Sequence, residues 1–272
     1  MDAASTTPER DGGTVVRVSE TVTRVLAPNP GPMTLDGTNS YLLGTGASRV
    51  VVDPGPLDET HLGLLSAHPV DLVLITHHHA DHTEASVEFA RRTGAPVRAV
   101  DAAFCVGGDP LVDGEEFEAA GVRIRVLTTP GHTSDSVCFA LPDEGPHGAV
   151  ITGDTVLGRG TTVIVHPDGS LADYLASLRR LRDLGPATAL VAPGPVLPDL
   201  AAACERDLAH RAERLTQVQD ALGRLGLDAN LDGATVTAVT DAVYADAPAA
   251  VRFAAEASVR AQLVFLADGG RL

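Results

Sequence analysis

The sequence predicts a protein of the α/β class, a large domain of interleaved strands and helices followed by a small helical unit. Three observations carry this. From residue 14 to about residue 195, short β-branched runs are separated by Gly, Pro and Asp turns. Helical stretches fall between those runs, and after Pro198 helical periodicity takes over. A length of 272 residues accommodates one such domain plus an appendage.

The elements follow in order. "MDAASTTPERDGG", residues 1–13, has early acids and no apolar run, so it is no secretory signal and reads as a disordered tail. "TVVRVSETVTRVLA" alternates like two paired strands, and "NSYLLG", "SRVVVDPG" and "VDLVLIT" read as further strands. "DHTEASVEFARRTG" predicts one helix stopped by Gly94. "SLADYLASLRRLRDLG" predicts another, capped by Ser170 and ended by Gly185. Residues 14–198 are thus assigned to the main domain and 199–272 to the helical unit. In the latter, Leu208, Leu215, Val218, Leu222 and Leu225 recur at about 3.5 residues, and "ATVTAVTDAVYA" and "AAVRFAAEASVRAQLVFLADGG" predict two more helices.

Composition narrows the function classes. A net charge of −16, from 36 acids against 20 basic residues that are all arginine, argues against nucleic acid or anionic lipid as a general partner. No run approaches the ~18 apolar residues of a membrane span, and the expected compartment is the cytoplasm. Cys105, Cys138 and Cys204 stand far apart and odd in number, which predicts free thiols. The Ala/Arg-rich, lysine-free composition suggests a bacterium with a GC-rich genome.

The chemistry concentrates in "THHHADHTE", residues 76–84. Alternate residues at a strand end share a face, so His77 and His79 point the same way, with Asp81 and His82 following as the chain turns into a helix. Imidazole and carboxylate are both zinc ligands. Two distant residues at strand-to-loop junctions complete the candidate set: His132 in "TPGHTSDS" and Asp154 in "TGDTVL". Ser134, Asp135 and Ser136 follow His132 but are assigned to turn structure, since adjacency in sequence is not triad geometry.

These three motifs, in this order, resemble the metallo-β-lactamase superfamily, with its H-x-H-x-D-H signature and a later His and Asp. "APNPGPMTLDGTNSYLLG" and "AHRAER" further resemble a β-lactamase-like branch with a winged-helix-like C-terminal domain, which includes a mitochondrial endoribonuclease. The resemblance implies an αβ/βα four-layer sandwich with the site at one end of two packed sheets. It implies that His77, His79 and His132 hold a first metal, that Asp81 and His82 hold a second, that Asp154 bridges them, and that Asp53 supports the site from the strand below.

One element of the family pattern is missing. The second metal ordinarily takes a histidine from a P-G-H-G-P-like turn, but here "LVAPGPVLPD", residues 190–199, has none; Pro193 stands in its place, or two residues are deleted. The expectation is therefore one tight and one weak Zn2+. His166 and His210 are alternative donors in principle, read here as surface histidines. The resemblance implies hydrolysis of a small ester, thioester, lactone or lactam by a metal-bound hydroxide that Asp81 orients. Two other readings stand beside it: an endoribonuclease on single-stranded RNA, drawing on the arginines of "SLRRLR" and "HRAER", and a non-catalytic member that has lost its second site.

Overall fold

A computed structural model describes residues 14–246 and 248–270; the tail expected at 1–13 lies outside them. β1 (Val15–Arg17) and β2 (Val22–Leu26) form the first hairpin, followed by β3 (Asn39–Leu43) and β4 (Arg49–Val52). α1 (Glu59–Leu65) leads to β5 (Val70–Leu74), and α2 (Ala80–Thr83) and α3 (Ser86–Thr93) lead to β6 (Val97–Arg98). These six strands make one sheet in sequential order, antiparallel through β4 and parallel from β4 to β6. β7 (Glu116–Ala119), β8 (Val122–Thr128), β9 (Val137–Leu141), β10 (Ala149–Gly153) and, after α4 (Leu171–Arg182), β11 (Thr188–Val191) make the second, ordered β11-β10-β9-β8-β7.

Period-two alternation builds four layers from these sheets. Val50, Val52, Leu72 and Leu74 face Ile124, Val126, Phe139 and Ile151 across the space between the sheets. The residues between them face outward: Val51 and Val73 pack with Leu62 of α1 and Phe89 of α3. On the far side, Leu127, Cys138 and Val150 pack under Leu171, Leu175 and Leu178 of α4. The order is helix, sheet, sheet, helix, as the resemblance implied.

The helix expected over residues 81–94 is two. The Ala85 amide leaves the helical ladder and donates to the Gly55 carbonyl at 3.2 Å, while Gly55 donates back to the His82 carbonyl at 3.2 Å. The loop after β4 thus clips the chain between α2 and α3. Gly94 ends α3 in the left-handed region, and Ser170 caps α4 by accepting from the Asp173 amide, as expected.

After Pro198 come α5 (Leu200–Leu225), α6 (Gly233–Val243) and α7 (Arg252–Ala267), and the described residues there include no strand. α5 does not stand clear of the sandwich. Leu200, Ala203, Cys204 and Leu215, with Ala261 of α7, join the same buried cluster as Tyr174 and Leu178. Beyond Leu215 the helix enters a separate core with Val236, Val239, Val259 and Leu263. Because Leu215 sits where the two cores meet, Leu215→Ala is expected to cost about 2–5 kcal/mol and to lower one cooperative unfolding transition in denaturant titration. Two resolved transitions, with only the later residues destabilised, would contradict a shared core.

Candidate metal centre

The centre stands at the C-terminal ends of β4, β5 and β10, and Asp53 ties the first two together. Asp53 is 1% exposed and has a left-handed backbone (φ 53°), a conformation Asp tolerates better than most residues. Its Oδ1 accepts from the Thr76 amide at 2.8 Å, and its Oδ2 accepts from the Thr76 hydroxyl at 2.7 Å and lies 2.8 Å from His82 Nδ1. Thr76 also sets the approach of β10, because a Cβ on Gly153 (φ 51°) would lie 2.8 Å from the Thr76 side chain. Only glycine fits there, and Asp154 follows it into the site.

Three imidazole nitrogens converge on one point. His77 Nε2 lies 3.0 Å from His79 Nδ1, and His132 Nε2 lies 3.1 Å from that same atom. Tetrahedral zinc with Zn–N bonds of ~2.0–2.1 Å places its ligand nitrogens about 3.3 Å apart. The triangle is close to that size. His132 donates its Nδ1–H to the Val163 carbonyl at 2.8 Å, which leaves Nε2 as the lone-pair nitrogen. Burial holds these rings neutral: it pushes His132 down to about 3, helped by the His79 ring, and lowers His77 and His79, with neighbouring imidazoles adding. Neutral imidazole is the metal-binding form.

A second group of donors is formed by His77, His82 and Asp154. With Nδ1 bound to Asp53, His82 directs Nε2 toward Asp154 Oδ1 at 3.6 Å and Asp81 Oδ2 at 3.3 Å. The other Asp154 oxygen lies 3.7 Å from His132 Nε2, so this carboxylate spans both groups. His82 Nε2 and Asp154 Oδ1 are buried without any hydrogen-bond partner. Such orphans are costly, and a cation between them would satisfy both. The residues present therefore fit a metal. Burial raises the Asp154 carboxyl to about 7, with Asp81 and Asp53 adding and His82 opposing. Burial opposes charge on His82, but the Asp53 and Asp154 carboxylates outweigh it and raise its pKa well above the usual histidine value.

Asp81 stands at the edge of this group. Its Oδ2 accepts from the Thr38 hydroxyl at 2.9 Å, and although burial acts to raise its pKa, the contacts with His82 and Thr38 hold it well below the usual carboxylate range. Asn29 in turn brackets Thr38, accepting from its amide at 2.9 Å and donating to its hydroxyl oxygen at 3.1 Å. The histidine-free turn packs beside this group. Pro193 pairs with Thr38 in an isolated bridge and accepts from the Gly158 amide at 3.1 Å, and the Asn39 side chain donates to the Gly194 carbonyl at 3.0 Å.

Neither alternative histidine joins the candidate metal groups: His166 is exposed, and His210 contacts Arg214. His78 points away, toward Asp135 at 2.8 Å. Ser134 bonds Asp168, and Thr133 bonds Asp135 and Ser136, so these residues do build the turn.

A supporting layer escaped the sequence reading. The Thr162 hydroxyl donates to the Asp154 carbonyl at 2.8 Å, the Tyr174 hydroxyl donates to the Thr155 carbonyl at 3.0 Å, and Arg211 of α5 donates to the Thr162 carbonyl with its guanidinium 5.0 Å over the Tyr174 ring. Of this layer only Arg211 had a sequence signal, in "AHRAER".

Two outcomes follow from the geometry. His132→Ala is expected to abolish tight zinc binding in a chain that stays folded, read by chelator competition and circular dichroism; a retained tight ion would place the first site elsewhere. Because an ion must displace protons held on His82 and Asp154, zinc affinity at their group is expected to rise with pH through about 7, while that of the three-imidazole group stays flat. Parallel pH profiles for both equivalents would contradict this.

Known proteins resemble this chain in sequence and fold. The profile of the Metallo-beta-lactamase superfamily matches residues 33–193. An atrochrysone carboxyl ACP thioesterase of Aspergillus fumigatus is 34% identical over 249 residues, covering 86% of this chain and 76% of the relative. A beta-lactamase-like protein 2 homolog of Caenorhabditis elegans is 32% identical over 271 residues, covering 94% and 87%. The crystal structure of a metallo-beta-lactamase family protein from Thermus thermophilus superposes with a TM-score of 0.75 at 25% identity, covering 93% of this chain and 95% of that one. These relatives span fungi, a nematode and a bacterium, so they carry no support for the bacterial origin read from composition. Signature motifs, layered fold and profile match agree: the chain belongs to the metallo-beta-lactamase superfamily.

Proposed function

We propose that this chain is a zinc-dependent hydrolase of a small acyl ester or thioester. The observation that carries the reading is the three-nitrogen triangle of His77, His79 and His132 with Asp154 spanning from it to His82. The name of the Aspergillus relative, a thioesterase, favours acyl over phosphoryl transfer. Among the described residues no helix is long and apolar enough to cross a membrane, and the strongly acidic chain favours a small substrate over RNA.

A bound zinc ion supplies a water acidic enough to ionise near neutral pH and polarises the scissile carbonyl. The protein's part is orientation and proton handling. Asp81, kept ionised and held by the Thr38 hydroxyl, is the carboxylate that aligns the attacking water. Asp53 holds His82 and Thr76 in place, so loop geometry does not have to be found at each turnover. The Val163 carbonyl fixes the tautomer of His132.

The turn at 190–199 offers no imidazole, so the two ions are held unequally in this reading. Zinc content after exhaustive dialysis is expected nearer one than two per chain; two tightly held ions would show that another residue completes the second site. On zinc-loaded protein, a panel of aryl esters, thioesters, lactams and a single-stranded RNA is expected to show turnover of the acyl esters or thioesters. Asp81→Asn should lower kcat by about 100-fold or more while the tight zinc remains. Cleavage of RNA alone, or no turnover of any acyl substrate, would sink the proposal.

A further inference from the structure

A cavity of about 380 Å3 lies where the sandwich meets the helical unit. One side is the loop Gly160–Val163, another is the face of α5 that carries His210, Arg211 and Arg214, and Met33 closes a third. In a chain with 36 acids, no carboxylate lines this space, while two arginines and a histidine do. The acids that share this stretch of α5 are engaged: Asp207 pairs with Arg206 at 3.1 Å, and Glu213 accepts from Gln217 at 3.2 Å.

Two donors here lack acceptors. Arg211 is 4% exposed, and its Nε–H has no partner, although its terminal nitrogen reaches Thr162. His210 accepts from Arg214 Nε through its Nε2 at 3.5 Å, so the ring proton sits on Nδ1, which is also buried and unpartnered. Burial and the neighbouring arginines lower the His210 pKa and keep the ring neutral. Arg214 lies 5.0 Å over the Tyr244 ring, which aligns its guanidinium within the lining. Adjacent buried donors without acceptors, in a cationic recess free of carboxylate, are the complement of an anion.

The cavity also abuts the metal centre. Thr162 and Val163 line it, and they hold the Asp154 carbonyl and the His132 ring at 2.8 Å each. Val251, Ala254 and Ala255 give it an apolar side, next to Ser258.

We propose that this cavity binds an organic anion: a carboxylate or phosphate, held by Arg211, Arg214 and the His210 Nδ1–H, at the end of the substrate remote from the scissile bond, with an apolar segment against Met33 and Val251. The proposal rests on the hydrolase reading and narrows it to anionic acyl substrates. A recess of this size takes one such group and a short chain, and the acidic surface around it repels the further phosphates of a polynucleotide.

The test uses the full zinc-loaded chain and matched probes: S-glutaryl against S-pentanoyl N-acetylcysteamine, with the anion on the acyl side, and S-pentanoyl 4′-phosphopantetheine against S-pentanoyl pantetheine, with the anion on the thiol side. One anionic probe is expected to have a KM about tenfold or more below its neutral match, and the pair that shows it identifies the source of the anion. Arg214→Met should collapse that ratio toward one with zinc content unchanged, and Arg214→Lys should restore most of it. Hydrolysis with equal KM within both pairs would overturn the anion site and leave the hydrolase reading standing. Titration calorimetry with glutarate and 4′-phosphopantetheine provides an arm independent of turnover. Binding lost in Arg214→Met supports the site even where no probe is cleaved, and a failure of both anions to bind overturns it. Binding of a single-stranded RNA through Arg214 without binding of either small anion would also overturn it.

Discussion

The carboxylate of Asp53 is the constraint on which the rest of the site depends. It is buried at the end of β4, yet it accepts from a backbone amide, a hydroxyl and an imidazole on the segment that follows β5. Two parallel strands are thereby locked at their C-terminal ends, and the loop that carries His77, His79 and His82 leaves β5 at one fixed angle. Remove that charge and His82 loses the partner that sets its tautomer, while Thr76 loses the anchor against which Gly153 is packed. The side chain is thus more than a support for one histidine. It couples the position of His82 to the position of Asp154, which arrives on the other sheet.

A second coupling runs through the helical unit. α5 shares the outer core of the second sheet, and from that position Arg211 reaches the loop that carries the backbone acceptors of the site. Thr162 grips the carbonyl of Asp154 and Val163 orients His132, so the loop between β10 and α4 is held from the α5 side as well as from the sheet. The apolar packing of α5 and the geometry of two candidate ligands, His132 and Asp154, are therefore linked mechanically. Among the described residues, the helical unit contributes walls and clamps, and both candidate metal-ligand groups come from the sandwich.

Much of this was legible in the sequence, and the boundary between what was and was not is physical. Period-two runs such as "RVVVDPG" and "VDLVLIT" gave strands because their two faces meet different cores. His77 and His79 were readable as a pair because alternation at a strand end is a local rule, and Asp154 because a glycine marks the strand exit. The break between α2 and α3 was not readable. It arises from a hydrogen bond between Ala85 and the distant Gly55, and helical propensity carries no trace of it. The same holds for Thr38 beside Asp81 and for Arg211 beside Thr162: contacts to a hydroxyl or a backbone carbonyl have no characteristic spacing. The arginines of α5 looked like a surface stripe, yet Arg211 is buried and two neighbours on its face line a cavity.

On the proposed reading, three imidazoles from two distant segments hold the primary ion, and the carboxylate of Asp154 leads from it to a weaker one. Anomalous diffraction at the zinc edge from crystals of the full chain grown with one equivalent of zinc tests this most directly. A strong peak is expected among His77 Nε2, His79 Nδ1 and His132 Nε2, with any second, weaker peak between His82 and Asp154. A dominant peak at His82 and Asp154, or one outside both groups, would contradict it.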